Sequence, residues 1–291
     1  MILLRIRLVA GEISVLFGGL LASIYSILQF IFAPIWGGLS DRFGRRPMLL
    51  ITLSGTAIGY AVWVFSGNFL LLITSRLITG AMGGNLSVAT AAIADLTTAK
   101  DRAKGMALVG VAFGLGFILG PATGGLTAHL SLLNVFPNGA QWGINPFSIP
   151  AMIALGLAVT NLIWVITRFE ETLPEAHRLM SAARRSSVTP WARIKSLVSL
   201  DNTAVRQTCW VNFVYILAFS GLEFSLTFLA AERLGFGPAQ NGGMLVYVGL
   251  LMVLTQGILI RRLSPIWGEK PLTLLGLTSA ITAFIALAFA H

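Results

Sequence analysis

The chain has 291 residues, of which 56% are hydrophobic and 11% charged, with a formal net charge of +9. Apolar stretches of 20 residues or more would expose too much hydrocarbon surface for a soluble globule, so the composition excludes that class. One cysteine, Cys209, excludes an internal disulfide and a cysteine-rich metal site, and three dispersed histidines argue against any metal centre. We expect a multi-pass, all-α integral membrane protein, in a plasma or organelle membrane that the sequence does not resolve.

Apolar runs of spanning length alternate with polar interruptions along the whole chain. They predict eight transmembrane helices, at residues 14–38, 47–66, 69–94, 104–128, 149–168, 206–231, 240–260 and 271–290.

The basic residues set the predicted orientation of these helices. Of the 20 Lys and Arg residues, 16 lie in the four segments 39–46, 95–104, 168–206 and 261–270. By the positive-inside rule these segments are cytoplasmic. The positive charge therefore reports topology, and no nucleic-acid partner is needed to explain it.

The first of these turns contains GGLSDRFGRRP, residues 37–47. Pro47 suits the start of a helix, Gly44 permits a tight turn, and Asp41 can accept hydrogen bonds from nearby N–H groups or pair with Arg45. An ordinary basic, topology-setting turn is the alternative to a functional motif. Asp95, beside Lys100 and Arg102, is expected to form a solvated surface pair.

This turn has an echo 224 residues later in the chain. LSDRFGRRP (39–47) aligns without gaps on LSPIWGEKP (263–271), with identical Leu, Ser, Gly and Pro. A repeat with this offset would place further spans before residue 1 and after residue 291, so we expect a chain truncated at both ends, with eight of twelve helices. A natural eight-helix protein is the alternative.

Charge inside the predicted spans is the sharper functional signal. Arg76 lies about 10 Å into its helix, at 1.5 Å per residue, where a cation needs a partner or a water-filled cavity. Glu223 lies about two-thirds of the way along its span and is a candidate titrating group. For Arg76 the alternative is a hydrogen bond to backbone carbonyls, and for Glu223 it is an interfacial position. Uncharged polar residues at depth suggest a cavity lining, or interhelical hydrogen bonds: Gln29, Asn85, Asn161, Asn212, Tyr215 and Gln256.

The fourth predicted span carries a stripe of small residues. Gly116, Gly120 and Gly124 recur at i, i+4 and i+8, which predicts close approach of another helix, and Gly125 adjoins them. Pro121 interrupts the hydrogen-bond ladder within this stripe. We expect helix packing with a consequence for gating.

Three of these motifs resemble those of the major facilitator superfamily. GGLSDRFGRRP resembles its loop motif, SRLITG with Arg76 and Gly80 its fourth-helix motif, and GFILGPATGG the fifth-helix motif of drug/proton antiporters. Longer stretches, including ETLP and GLEFSLTFLAAERLGF, look most like the eukaryotic tetracycline-transporter-like branch, associated with organic-anion export. The resemblance implies a six-plus-six helical bundle. It also implies a cytoplasmic latch formed by the loop motif, whose candidate residues are Gly37, Asp41, Arg42, Gly44, Arg45 and Arg46.

The predicted organisation is an N-terminal bundle (1–168) that lacks its first helix, a cytoplasmic linker (169–205) and a partial C-terminal bundle (206–291). The predicted function is alternating-access transport of a small amphipathic molecule, such as an organic anion or drug, coupled to protons. Substrate and proton would pass along Arg76, Glu223, Asn85, Gln29, Tyr215 and Gln256. We expect a monomer without cofactor or enzymatic activity, since GxxxxGK[ST], HExxH, GxSxG and CxxC are absent. A transport-incompetent scaffold or regulatory fragment is the alternative.

Overall fold

Helices account for most of the chain in the computed structural model, which describes residues 2–98, 101–127, 130–175, 178 and 202–289. Side chains are described from residue 16 onwards, apart from 103, 104, 238, 261, 264, 265 and 269. Most of the predicted linker therefore lies outside the described residues. The helices are α1 (Ile2–Phe43), α2 (Arg45–Val64), α3 (Phe69–Met82), α4 (Asn85–Leu96), α5 (Arg102–Thr127), α6 (Leu132–Val135), α7 (Ser148–Arg168), α8 (Thr203–Leu234), α9 (Pro238–Leu254), α10 (Arg261–Trp267) and α11 (Glu269–Ala288).

Eight helical stretches within the described ranges are long and apolar enough to cross a membrane, which confirms the eight predicted spans. The third predicted span consists of two helices, α3 and α4, that together cover Phe69–Leu96. The seventh ends in a π-helical segment, Thr255–Ile260, that joins α9 to α10.

The structure groups by its contacts into two units, residues 1–99 with 127–225 and residues 100–126 with 226–291. This grouping places α5 with the C-terminal helices. The domain boundaries at residues 168 and 206 stay a prediction.

In the first unit α2 is the central helix and packs on both α7 and α3, while α1 packs on α3. Its interior is a small apolar cluster formed by Met48, Leu49, Leu53, Val88 and Val165. Many large side chains point outward, such as Leu70 at 72% exposed, as expected where hydrocarbon is the solvent.

Glycines let the helices of this unit approach closely. A Cβ on Gly59 of α2 would lie 2.5 Å from Thr79 Cγ2 on α3, and a Cβ on Gly80 would lie 2.9 Å from the Tyr25 carbonyl oxygen on α1. Ser75 Oγ donates to the Gly59 carbonyl at 2.8 Å across the first of these contacts. The second contact holds Tyr25 one turn from Arg76, on the same side of α3.

The break between α3 and α4 falls at Gly83–Gly84, inside a span. Backbone groups freed at such a break need partners, because the hydrocarbon core supplies none. Two side chains of α1 supply them: Trp36 Nε1 donates to the Ala81 carbonyl at 2.7 Å, and Gln29 Nε2 donates to the Gly83 carbonyl at 3.2 Å. The break is thus stabilised by α1.

The second unit reproduces the turn conformation of the first. Gly44, before α2, has φ 105° and ψ 159°, and Gly268, before α11, has φ 77° and ψ 172°. Both glycines occupy the same position in the sequence echo, and both directly precede a helix. The shared positive φ, which L side chains rarely adopt, supports the interpretation of the echo as a repeat.

Candidate functional site

The turn between α1 and α2 is built around the guanidinium of Arg45, a residue only 5% exposed. Nη1 donates to Asp41 Oδ1 and to Ser40 Oγ, both at 2.6 Å, and Nε donates to Asp95 Oδ2 at 2.8 Å. Charge-assisted hydrogen bonds of this length are the strong class. Ser40 in turn donates to the Gly37 carbonyl at 2.7 Å, so the turn is tied to the last turns of α1.

The pair expected between Asp41 and Arg45 is therefore present, but the prediction for Asp95 is wrong. The Asp95 side chain is 19% exposed and bonded to Arg45, whereas that of Asp41 is 55% exposed. The packing of α2 on α4 brings Arg45 to Asp95, at the end of α4. The position of Asp95 near Lys100 and Arg102 in the sequence does not reveal this contact.

Glu171, the first residue of ETLP, caps the start of α2. Its Oε1 accepts from the Arg45 N–H at 2.8 Å and from the Leu173 N–H at 3.0 Å, and its Oε2 accepts from the Arg46 N–H at 3.1 Å. A carboxylate at a helix N-terminus satisfies orphan donors and complements the helix dipole. Its place in ETLP and its position directly after a span, on the predicted cytoplasmic side, were the signals in the sequence, and neither indicated a capping role.

Arg46 caps the end of α7, the helix that packs on α2. Its Nη2 donates to the Ile166 carbonyl, in the last turn of α7, at 2.7 Å. Glu171, just after α7, thus caps the start of α2, and Arg46, in the first turn of α2, caps the end of α7. Arg42 is exposed and lies over the Phe43 ring at 5.1 Å.

Arg76 packs against an aromatic ring. Its Cζ lies 4.1 Å from the centre of the Trp63 ring, at the end of α2, and the Tyr60 ring lies 6.3 Å from that of Trp63. Among the described side chains no carboxylate lies within 4 Å of Arg76 to form an ion pair. The partner of Arg76 is therefore the aromatic face of Trp63.

The other predicted pathway residues lie on several different helical segments. Gln29 bonds the α3–α4 break, and Asn85 begins α4. Tyr215 stacks on Phe219 within α8, at 6.2 Å between ring centres, and Glu223 is exposed on the same helix. Gln256, in the π-helical segment, contacts α5 in the second unit.

The predicted packing of the small-residue stripe of α5 against another helix stays a prediction. A Cβ on Gly116, Gly120 or Gly124 would meet no described atom within 4 Å. The packing face lies about a third of a turn away, at 100° per residue, and it includes Pro121 and Gly125.

Antiparallel contacts with α9 run along this packing face. A Cβ on Gly110 would overlap Gln256 Oε1, one on Gly114 would lie 2.7 Å from Val253 Cγ2, and one on Gly249 would lie 2.9 Å from the Ile118 nitrogen. A Cβ on Gly242 would lie 2.9 Å from the Pro121 carbonyl oxygen. Since α5 has small residues on two faces, spacing alone did not identify the face that packs on α9.

A family model described as the Major Facilitator Superfamily matches residues 2–291. The chain belongs to the major facilitator superfamily. It is therefore a multi-pass integral membrane protein.

Curated superfamily members resemble the chain over nearly its whole length. Major facilitator superfamily domain-containing protein 10 of Mus musculus is 37% identical over 292 residues, which is 96% of this chain and 60% of that protein. Tetracycline resistance protein, class B, of Escherichia coli is 31% identical over 99% of this chain and 66% of that protein. These matches confirm the predicted branch. The chain spans about 60% of the length of the first of these relatives.

A solved structure of the superfamily has a similar fold. The crystal structure of the human organic anion transporter MFSD10 (TETRAN) matches with a TM-score of 0.67 and 36% identity, over 87% of this chain and 58% of that one.

Proposed function

We propose that the chain is a secondary transporter of small amphipathic organic anions, which works by alternating access and is coupled to protons. The observation that carries this proposal is Arg76, a cation within a span without a carboxylate partner among the described side chains. A charged side chain in a span is costly and marks a functional position by default. The similarity of the chain to an organic anion transporter and to a tetracycline resistance protein supports this class of substrate.

The cytoplasmic latch of this transporter is proposed to be the Arg45 cluster, which consists of Arg45 and the residues bonded to it: Ser40, Asp41, Asp95 and Glu171. One buried cation joins the α1–α2 turn to the end of α4, while Glu171 joins it to the segment after α7. Exposed Asp41 is the member of the cluster that is free to exchange partners, because over half of its side chain reaches solvent. Pro121 and Gly125, on the α9-facing side of α5, are proposed to let this packed face flex.

Uptake into proteoliposomes tests the transport proposal directly. The purified chain is reconstituted, and uptake of 2-naphthoate, a planar aromatic carboxylate, is measured with and without a pH gradient. Arg76→Gln should lower uptake at least about tenfold, as expected when a charged binding group is lost. Arg233→Gln, which removes the same charge at the end of α8, is the matched control and should leave uptake unchanged.

A second variant addresses coupling to protons. Glu223→Gln keeps the shape of the side chain and removes its titration, so the stimulation by a pH gradient should disappear while naphthoate exchange persists. Retention of the pH stimulation in this variant would show that Glu223 does not carry the proton.

A scaffold that does not transport is the alternative to this proposal. Binding of naphthoate by the reconstituted chain without any uptake would favour this candidate over transport.

A further inference from the structure

We infer that Trp63 is a specificity-determining residue: its ring holds the Arg76 guanidinium as a receptor for planar aromatic carboxylates, selecting them over neutral molecules of the same shape. This inference rests on the proposed function, since it assumes that Arg76 meets the substrate. Neither the loop motif nor the charge of Arg76 implies a role for Trp63 or a planar shape of the ligand.

Arg76 and Trp63 are in cation–π contact. Arg76 Cζ lies 4.1 Å from the Trp63 ring centre, within the range of a cation–π interaction, for which Trp is the best partner. The ring stabilises the cation through its face and accepts none of the five guanidinium N–H donors. A carboxylate partner would neutralise the charge and occupy two of those donors. Stacking therefore keeps the arginine in place and leaves its donors available to an anion.

The backbone around the pair fixes its position. Arg76 extends from α3 towards the N-terminus of that helix, as helical side chains do, and Trp63 is the penultimate residue of α2, just before the α2–α3 turn. Ser75, next to Arg76, is fully buried and bonded to the Gly59 carbonyl of α2. The two helices cannot slide past each other at this level without breaking that bond.

Two tyrosines extend the aromatic surface beside the cation. The Tyr60 ring lies 6.3 Å from that of Trp63 and is tilted by 32°, one turn earlier on α2. The backbone of Tyr25 on α1 contacts Gly80, one turn after Arg76 on α3. Aromatic faces bind planar apolar rings, and phenol hydroxyls donate to carboxylates. The chemical class that fits is a flat aromatic acid.

Binding of two matched probes to the purified chain in nanodiscs tests the inference. Equilibrium dialysis measures the Kd of 2-naphthoate and of its neutral analogue 2-naphthamide. Trp63→Phe should raise the naphthoate Kd about threefold and Trp63→Leu about tenfold, because the cation–π partner is weakened and then lost. The naphthamide Kd should stay unchanged. Trp164→Leu, on a 67% exposed tryptophan of α7, is the control and should change neither value.

The outcomes separate this inference from the proposed function. If Arg76→Gln leaves the naphthoate Kd unchanged, the anion site of the proposed function is refuted. If Arg76→Gln weakens naphthoate but Trp63→Leu does not, or if Trp63→Leu weakens both probes equally, only the role of Trp63 is refuted. Should Trp63→Leu fail to fold, the Phe variant decides, since it keeps the ring and most of the volume.

Discussion

Replacing Gly44 by Ala perturbs two features of the α1–α2 turn at once. With φ 105° and ψ 159°, Gly44 occupies a region that is essentially restricted to glycine, and a side chain there costs about 2 kcal/mol. The new Cβ would also overlap the Glu171 carboxylate and displace it from the start of α2. Loss of this half-buried cap, which accepts three hydrogen bonds from backbone N–H groups, costs about 2 kcal/mol more.

The second turn of the repeat provides a matched control for the strain. Gly268 has φ 77° and ψ 172°, but a Cβ there would meet no described atom within 4 Å. Gly268→Ala should therefore cost only the strain, about 2 kcal/mol, against about 4 kcal/mol for Gly44→Ala. At about 2 °C per kcal/mol, the expected losses in Tm are about 4 °C and about 8 °C, measured in detergent by intrinsic fluorescence.

A double-mutant cycle isolates the cap itself. Glu171→Ala alone should cost about 2 kcal/mol, and the Gly44→Ala, Glu171→Ala double variant should cost about 4 kcal/mol instead of the additive 6 or so. Glu170→Ala, at the exposed neighbouring position, should change Tm by less than about 1 °C. Equal losses for the two glycine variants, or additive losses in the cycle, would refute the reasoning.

Three further predictions follow from the described contacts. Asp95→Ala should lower Tm more than Asp41→Ala, because Asp95 is the less exposed partner of Arg45; equal losses would contradict this ranking. Gly249→Leu should lower Tm by several degrees while Gly120→Leu leaves it within about 1 °C, since only Gly249 faces a neighbouring backbone; the reverse order would support the packing predicted for the stripe. Finally, an experimental structure should show that α1 and α2 superpose on α9 and α11, and unrelated crossing angles would reject the repeat.

The number of spans was predictable because length and hydropathy are local properties of the sequence. The Asp41–Arg45 pair was equally accessible, since its members lie four residues apart. The partners contributed by Asp95 and Glu171 were not, because they depend on how α2 packs against α4 and α7. The sequence predicted a partner or a water-filled cavity for Arg76, but it did not distinguish a carboxylate partner from the indole of Trp63.

The partners of the α3–α4 break also imply an order of biogenesis. The side chains that satisfy the freed carbonyls, Trp36 and Gln29, belong to α1, so they are synthesised some 50 residues before the acceptors at Ala81 and Gly83. Chains assemble from the N-terminus as they emerge from the ribosome. The span that contains the break therefore arrives in the bilayer when its hydrogen-bond donors are already there, and it does not have to expose bare carbonyl groups to lipid while it waits for a later helix.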